Sequence, residues 1–220
     1  MSTNTRPNLS PYLQDVPIVA VLRAQHAAEY PPVINALLDG GIRSIELTLS
    51  TAGVFDHLTQ IIRAVGGRGE IGVGTITTLA ETEQALDAGA AFIVTPISDQ
   101  AIVKACAERG VPVFPGGLTP TELYSSWTAG ATAVKVFPAS TVGSGYLKQL
   151  NGPFPDLLAI PSGGVDSAAA AEWIAAGACA VSIGGPLIGD AFRGGNLRLL
   201  TERARDLVAR VQAAQAEVQP

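Results

Sequence analysis

A pattern repeats along this chain: a helical stretch ends in glycine, and a short run rich in β-branched residues follows within a few positions. Examples are LLDGGIRSIELTL, ALDAGAAFIVTP, CAERGVPVFPG, WTAGATAVKVFP and WIAAGACAVSIGG. Glycine just past a helix adopts the left-handed conformation that ends it, and a continuous apolar run is typical of a strand buried on both faces. The pattern therefore predicts βα units with parallel strands.

Eight apolar runs fit this scheme: IVAVLR, SIELTL, EIGVGT, AFIVTP, PVFPGG, AVKVFP, LLAIPSG and CAVSIGG. Eight parallel strands with their helices close into a barrel. An open, doubly wound sheet is disfavoured, because no GxGxxG follows the first strand and polar residues cluster at the carboxyl ends of nearly all the strands. We predict an α/β fold, a single (β/α)8 TIM barrel domain over residues 1–220. A short extra helix in NLSPYLQ is expected to cap its bottom, and the tail after Arg210 is expected to fray.

Composition limits the partners of the chain. The net charge is −5 and the arginines are scattered rather than gathered into a basic stripe, so we expect no nucleic-acid partner. No apolar run is long enough to span a bilayer, and the N-terminal MSTNTRPNLSPYLQDV lacks the apolar core of a signal peptide. We therefore expect no membrane partner and a cytoplasmic location.

The run AVKVFP places a lysine in the middle of an otherwise apolar strand, although the chain has only three lysines against eleven arginines. The two-residue period of a strand directs Ala133, Lys135 and Phe137 to one face, the barrel interior. Desolvation there favours a neutral amine, which can attack a ketone and form a Schiff base. The alternative is a lysine that only pairs with a buried carboxylate.

A carboxylate and a guanidinium are predicted at the same end of the barrel. In SIELTLS the inward face carries Glu46, Thr48 and Ser50, and a carboxylate across the barrel from a Schiff-base lysine can shuttle protons. Arg23 ends the first strand, where its planar guanidinium suits a substrate carboxylate. The alternatives are a Glu46 that serves only in a salt bridge and an Arg23 that points into solvent.

Two glycine-rich turns follow the last two strands: PSGGV at 161–165 and SIGGPL at 182–187, which contains Gly184 and Gly185. In a barrel this is where backbone N–H groups bind phosphate, so the two turns together predict a phosphate site. The only histidines, His26 and His57, have no spacing with carboxylates that makes a metal site. We predict no metal and no cofactor.

These motifs resemble those of the bacterial 2-keto-3-deoxy-6-phosphogluconate (KDPG) and 4-hydroxy-2-oxoglutarate (KHG) aldolases, class I aldolases of (β/α)8 fold. The resemblance covers nearly the whole sequence and consists, in order, of IVAVLRA, IELTLST, GVGT, IVTP, FPGGLTPTEL, VKVFPAS, NGPFPD and PSGGV. It implies that Lys135 forms a Schiff base with pyruvate and that Glu46 is the general acid and base. It also implies a homotrimer and a role in the Entner–Doudoroff pathway. The remaining residues that it implies for substrate binding are Thr75, Pro96 and Phe137 in the pyruvate pocket and Ser162, Gly163 and Gly164 around phosphate.

The chain departs from that family at two positions. Many members carry an arginine where this chain has Ser50, but a subgroup places it at the end of the first strand, as Arg23 is here. Members usually have serine where this chain has Pro186, and proline offers neither a hydroxyl nor an N–H. We therefore expect weaker discrimination in favour of phosphorylated substrates.

The resulting hypothesis is a metal-independent lyase that cleaves a small-molecule 2-keto-4-hydroxy acid. The products are pyruvate and an aldehyde: glyceraldehyde 3-phosphate from KDPG or glyoxylate from KHG. One alternative is an aldolase for 2-keto-3-deoxy-6-phosphogalactonate (KDPGal). Others are a phosphate-binding isomerase or epimerase, in which Lys135 is only electrostatic, and a catalytically silent sugar-phosphate binding protein.

Overall fold

The computed structural model describes residues 6–218, which form a closed barrel of short parallel strands. The strands are β1 (Ile18–Leu22), β2 (Ser44–Thr48), β3 (Glu70–Gly74), β4 (Ile93–Val94), β5 (Val113–Phe114), β6 (Gly116–Gly117), β7 (Val134–Val136), β8 (Ala159–Pro161) and β9 (Val181–Ile183). They are hydrogen-bonded in the orders β5-β4-β3-β2-β1-β9 and β6-β7-β8. A bridge between Ser162 and Ser182 joins β8 to β9 and closes the ring. The prediction of a (β/α)8 barrel is confirmed.

The fifth barrel strand is divided into β5 and β6 at Pro115. β5 pairs with β4, and β6 pairs with β7. Proline has no N–H to donate, but the carbonyl oxygen of Pro115 accepts the backbone N–H of Lys135 at 2.8 Å. The run PVFPGG therefore acts as one strand of the barrel and fixes the neighbouring strand, which carries Lys135.

Helices surround the strands: α1 (Pro11–Asp15), α2 (Tyr30–Asp39), α3 (Val54–Val65), α4 (Leu79–Asp87), α5 (Gln100–Glu108), α6 (Pro120–Thr128), α7 (Gly145–Asn151), α8 (Ser167–Ala175), α9 (Gly185–Ile188) and α10 (Leu197–Val218). Side-chain caps fix several of their starts. Thr78 with Glu81 and Thr119 with Glu122 form capping boxes at α4 and α6. Such caps satisfy N–H groups that a helix leaves free in its first turn, so the loops before α4 and α6 end at a defined residue.

The hydrophobic core consists of two clusters, one outside the barrel and one inside it. The outer cluster lies between strands and helices and includes Val134 and Val136 of β7. The inner cluster fills the barrel and consists of Leu13, Val19, Phe92, Val94, Phe114, Ala133, Ile160 and Ala180. Leu13 belongs to α1, so this short N-terminal helix closes the bottom of the barrel, as the segment NLSPYLQ predicts.

The expectation of a frayed tail after Arg210 is wrong. Helix α10 continues to Val218 and packs on α2 and α8. Its buried residues Leu207, Val211 and Ala214 recur at intervals of four and three, which is the spacing of one helix face. Burial of this apolar stripe stabilises the end of α10, although the Ala- and Gln-rich composition of the segment does not indicate a buried helix.

Candidate active site

A cavity of about 550 Å³ opens at the carboxyl end of the barrel strands. All the residues predicted for the site line it: Arg23, Glu46, Thr75, Pro96, Lys135, Phe137, Ser162, Gly163, Gly164, Gly184 and Gly185. They are distant in sequence, and they meet because parallel strands all end at the same face of a barrel. The structure therefore brings the predicted residues together, while their chemical roles stay predictions.

Lys135 projects from β7 into this cavity. Ala133, two residues earlier, lies in the inner cluster, whereas Val134 and Val136 lie in the outer one, as the alternation of a strand predicts. The side chain of Lys135 is buried with 7% of its surface exposed, and its Nζ lies 4.9 Å from the centre of the Phe137 ring. Among the ion pairs of residues 6–218, none places a carboxylate oxygen within 4.0 Å of Nζ. The alternative of a lysine held in an ion pair is therefore not what the structure shows.

Glu46 projects into the same cavity from β2, and only 1% of its surface is exposed. Its Oε2 is a buried oxygen that has no hydrogen-bond partner within the described part of the chain. Burial raises the pKa of the Glu46 carboxyl, and the positive charges of Lys135 and then Arg23 oppose this effect. A buried carboxyl with a raised pKa and an oxygen without a hydrogen-bond partner is suited to take up and release a proton.

Gly74 on β3 makes room for Glu46. A Cβ atom at position 74 would collide with the Oε1 and Cδ atoms of that side chain. The register explains this, since Thr48 pairs with Gly74 and Glu46 pairs with Gly72 on the adjacent strand. The run EIGVGT contains both glycines, but nothing in the sequence says that the second of them faces Glu46.

Two threonines shape the wall near Glu46. The Oγ1 of Thr48 donates to the backbone oxygen of Leu22 at 2.9 Å and lies 3.1 Å from the Oγ of Ser50. Ser50 itself does not line the cavity. Thr75 has a φ of 62°, a left-handed conformation that is unusual for a threonine. Such strain is often kept at functional sites, and here it accompanies a residue that lines the cavity.

The turn after β8 is built for glycine. Gly163 and Gly164 have φ values of 85° and 74°, and a Cβ on Gly164 would lie 2.6 Å from the Cβ of Ser140. The backbone N–H of Ser140 donates to the oxygen of Gly163 at 3.0 Å, which ties the turn to the segment after β7. The turn therefore keeps a close packing that any side chain would disrupt.

Comparison with known proteins identifies the family. A family model described as KDPG and KHG aldolase matches residues 9–199. The chain belongs to the KDPG and KHG aldolase family.

Individual proteins that are similar to this chain are also aldolases of this family. The 2-dehydro-3-deoxy-6-phosphogalactonate aldolase of Escherichia coli K12 is 30% identical over 205 residues, which are 93% of this chain and 97% of that protein. The KHG/KDPG aldolase of the same organism is 31% identical over 196 residues, 88% of this chain and 90% of that protein. The KDPG aldolase of Legionella pneumophila, solved with pyruvate captured as a covalent carbinolamine, has a TM-score of 0.82 at 27% identity and covers 89% of this chain and 96% of that one.

The protein is accordingly a class I aldolase, a carbon–carbon lyase of the Schiff-base type. This assignment favours the lyase hypothesis over the isomerase or epimerase and over the silent binding protein. Within residues 6–218, no helix is both long and apolar enough to cross a bilayer. The same part of the chain contains no group of three or more His, Cys, Asp and Glu side chains that could hold a metal ion.

The aldolase cavity has further wall residues that sequence reasoning did not place there. They are Val21, Ile188, Gly189, Phe192 and Arg193. The last four follow β9 and belong to α9 or to the loop and 3₁₀ turn (Ala191–Arg193) that precede α10. This segment shows no motif, and only the path of the folded chain returns it to the barrel mouth.

Proposed function

We propose that this aldolase cleaves a 2-keto-4-hydroxy acid, KDPG and/or KHG, to pyruvate and an aldehyde through a Schiff base on Lys135. The aldehyde is glyceraldehyde 3-phosphate from KDPG and glyoxylate from KHG. The observation that carries the proposal is the placement of Lys135 and Glu46, both buried, in one cavity without an ion pair to Lys135. A buried amine without a carboxylate partner is available as a nucleophile.

In the proposed reaction, Nζ of Lys135 attacks the C2 carbonyl, and loss of water converts the carbinolamine to an imine. Glu46 takes the proton of the C4 hydroxyl as the C3–C4 bond breaks. The electron pair of that bond moves into the enamine, and the C4 oxygen becomes the carbonyl of the released aldehyde. Glu46 then returns the proton to C3, and hydrolysis of the imine frees pyruvate and Lys135.

The other wall residues are assigned to substrate binding. Arg23 holds the C1 carboxylate, because its guanidinium can donate two parallel hydrogen bonds to such a group. Thr75, Pro96 and Phe137 enclose the pyruvate half. The glycine-rich turns are assigned to the far end of the substrate, to which they offer backbone N–H groups; they contain Ser162, Gly163, Gly164, Gly184 and Gly185.

KDPGal is the second candidate substrate. It is favoured by the Escherichia coli relative named for that substrate, which matches this chain over 205 residues. KDPG and KDPGal differ in the configuration of the hydroxyl carbon at which the bond breaks. Parallel rates with both acids, read as pyruvate release, would decide between them. The homotrimer implied by the family resemblance is also part of the proposal, and light scattering on the purified protein would test it.

Borohydride trapping tests the central step. The protein is treated with pyruvate and sodium borohydride, and its intact mass and Lys-containing peptides are measured. We expect one adduct of a reduced pyruvate imine, located on Lys135, because only an imine is reduced to a stable amine. Lys104→Arg is the matched control, since Lys104 is exposed on α5. An unchanged mass in the wild type, or an adduct on another lysine, would overturn the proposal.

A further inference from the structure

The cavity contains one more cation than the proposed reaction uses. Its charged wall residues are Arg23, Lys135, Arg193 and Glu46. The proposal assigns the C1 carboxylate to Arg23, the ketone to Lys135 and the proton to Glu46. Arg193 is left without a role, although it lines the same cavity as the two glycine-rich turns.

The segment that carries Arg193 is held in place by side chains from other elements. Arg203 of α10 donates from Nε to the oxygen of Leu187 at 3.0 Å and from Nη2 to the oxygen of Ile188 at 3.2 Å. The ring of Phe192, next to Arg193, meets the ring of buried Tyr30 edge to face, with centroids 5.8 Å apart. These contacts fix the backbone on both sides of the loop that leads to Arg193. The backbone position of Arg193 is therefore well defined.

The guanidinium of Arg193 has capacity to bind a ligand. It has five N–H donors in general, and the hydrogen bond that the structure shows for it runs from Nη2 to the oxygen of Gly189, at 3.3 Å. Gly189 lies on the cavity wall as well. This bond orients the guanidinium at the cavity rim and leaves other donors for an oxyanion, which a guanidinium binds with two parallel hydrogen bonds.

Arg193 lines the same cavity as Pro186, a residue that offers no hydrogen-bond donor to a substrate. Pro186 follows Gly184 and Gly185 and lines the cavity, but it has neither an N–H nor a hydroxyl. The substrates of the proposed function have a negative group at the end farthest from the ketone, either a phosphate monoester or a carboxylate. A guanidinium in the same cavity can balance that negative charge and supply donors that Pro186 lacks.

We propose that Arg193 binds the anionic end of the aldehyde half of the substrate, and so selects 2-keto-4-hydroxy acids that carry a phosphate or carboxylate there. This inference rests on the proposed function, because it names the group that recognises one half of its substrate. Arg203 acts as a positioning residue through the loop carbonyls, without touching the substrate.

The test compares three substrates in the purified full-length protein. KDPG ends in phosphate, KHG ends in carboxylate, and 2-keto-3-deoxygluconate ends in a neutral hydroxyl. Pyruvate release gives kcat/KM for each in the wild type, Arg193→Gln, Arg193→Lys and the control Arg198→Gln. Arg198 is an exposed arginine of α10 that pairs with Glu202 and does not line the cavity.

In Arg193→Gln, we expect the kcat/KM ratio of at least one charged substrate to the neutral one to fall about tenfold, the effect of a lost charged hydrogen bond at an exposed site. In Arg193→Lys the same ratio should fall less, because lysine keeps the positive charge but lacks the planar pair of donors of a guanidinium. If only the KDPG ratio falls, Arg193 binds phosphate. If only the KHG ratio falls, it binds carboxylate, and if both ratios fall, it binds either anion. Arg198→Gln should keep the wild-type ratios.

Unchanged ratios for both charged substrates in Arg193→Gln would overturn the inference, and so would an equal fall in Arg198→Gln. Trapping of pyruvate on Lys135 separates this result from failure of the proposed function, because pyruvate has no aldehyde half. Trapping that succeeds with unchanged ratios refutes only the role of Arg193. Trapping that fails in the wild type refutes the proposed function and the inference that rests on it.

Discussion

Gly74 and Glu46 face each other across adjacent strands so closely that no side chain fits at position 74. A Cβ atom there would collide with the carboxylate of Glu46. β3 therefore contributes an empty position to the barrel interior, and β2 fills it with a buried carboxyl group. The placement of the proposed acid and base depends on a residue that has no functional group of its own.

The first prediction follows from this contact. Gly74→Ala should push the Glu46 carboxylate away from the cavity and lower kcat/KM by about 10²–10⁴-fold, the usual contribution of a general acid or base. The matched control is Gly67→Ala, because a Cβ atom at position 67 would meet nothing within 4 Å. Pyruvate release measures both variants, and we expect the control to keep the wild-type rate.

A double-mutant cycle shows whether the collision is the cause. In a Glu46→Ala background, Gly74→Ala should destabilise the protein less than in the wild type, because the colliding carboxylate is gone. Urea unfolding of the four proteins gives the coupling. An equal loss of stability in both backgrounds would contradict the proposed contact.

The second prediction concerns the nucleophile. Lys135→Arg should abolish cleavage while leaving the fold largely intact, because arginine keeps the positive charge but cannot lose its proton to become a nucleophile. Circular dichroism and pyruvate release measure the two properties. Lys148→Arg changes an exposed lysine in the same way and should remain active. Substantial turnover by Lys135→Arg would show that Lys135 is not covalent.

The third prediction concerns proton transfer. Glu46→Gln should still form the imine slowly, but its rate of proton transfer should fall by about 10²–10⁴-fold, because the amide cannot accept or release the proton. Exchange of deuterium from solvent into the methyl group of pyruvate, followed by NMR, measures this step directly. Exchange at the wild-type rate would assign the proton to another group.

The fourth prediction is a pH dependence of stability. Burial raises the pKa of Glu46 above its ordinary value of 4.5, so the folded state holds this proton more tightly than the unfolded state. The stabilisation is complete below pH 4.5 and is lost as the pH rises through the folded-state pKa. Glu46→Gln does not ionise, so its stability relative to the wild type should increase across that window and then become constant.

Urea unfolding of the wild type and Glu46→Gln over this pH range measures that difference. Glu70 also has its pKa raised by burial, but it is present in both proteins and its effect on the difference cancels. A stability difference that does not change with pH would mean that Glu46 ionises as easily in the folded chain as in the unfolded one.

The fifth prediction concerns Pro186, which lines the cavity. Pro186→Ser should raise kcat/KM for KDPG by roughly tenfold, because a hydroxyl adds a hydrogen bond to a charged group. KHG should respond little. If both substrates respond equally, or if the wild type already prefers KDPG by several orders of magnitude, Pro186 is only a turn residue.

The sequence alone indicates much of this architecture and of the site. The recurring helix, glycine and apolar run encode the βα units, because helix ends and buried strands are specified by residues close together in the chain. The alternation of side chains along a strand is equally local. It therefore predicts from the sequence alone that Lys135 and Glu46 face the barrel interior, where both line the cavity. Their common location then follows from parallel strands that end at one face.

The tertiary structure decided what depends on contacts between distant segments. The register between β2 and β3 brings Gly74 against Glu46, and a shift by one residue would place Gly74 elsewhere. Burial on α2 and α8 turned a polar-looking tail into the end of α10. Arg193 reaches the cavity because Arg203 and the Phe192–Tyr30 contact fix a loop that has no motif. Local patterns determine the direction of a side chain, whereas its neighbours are set by close packing of the whole barrel.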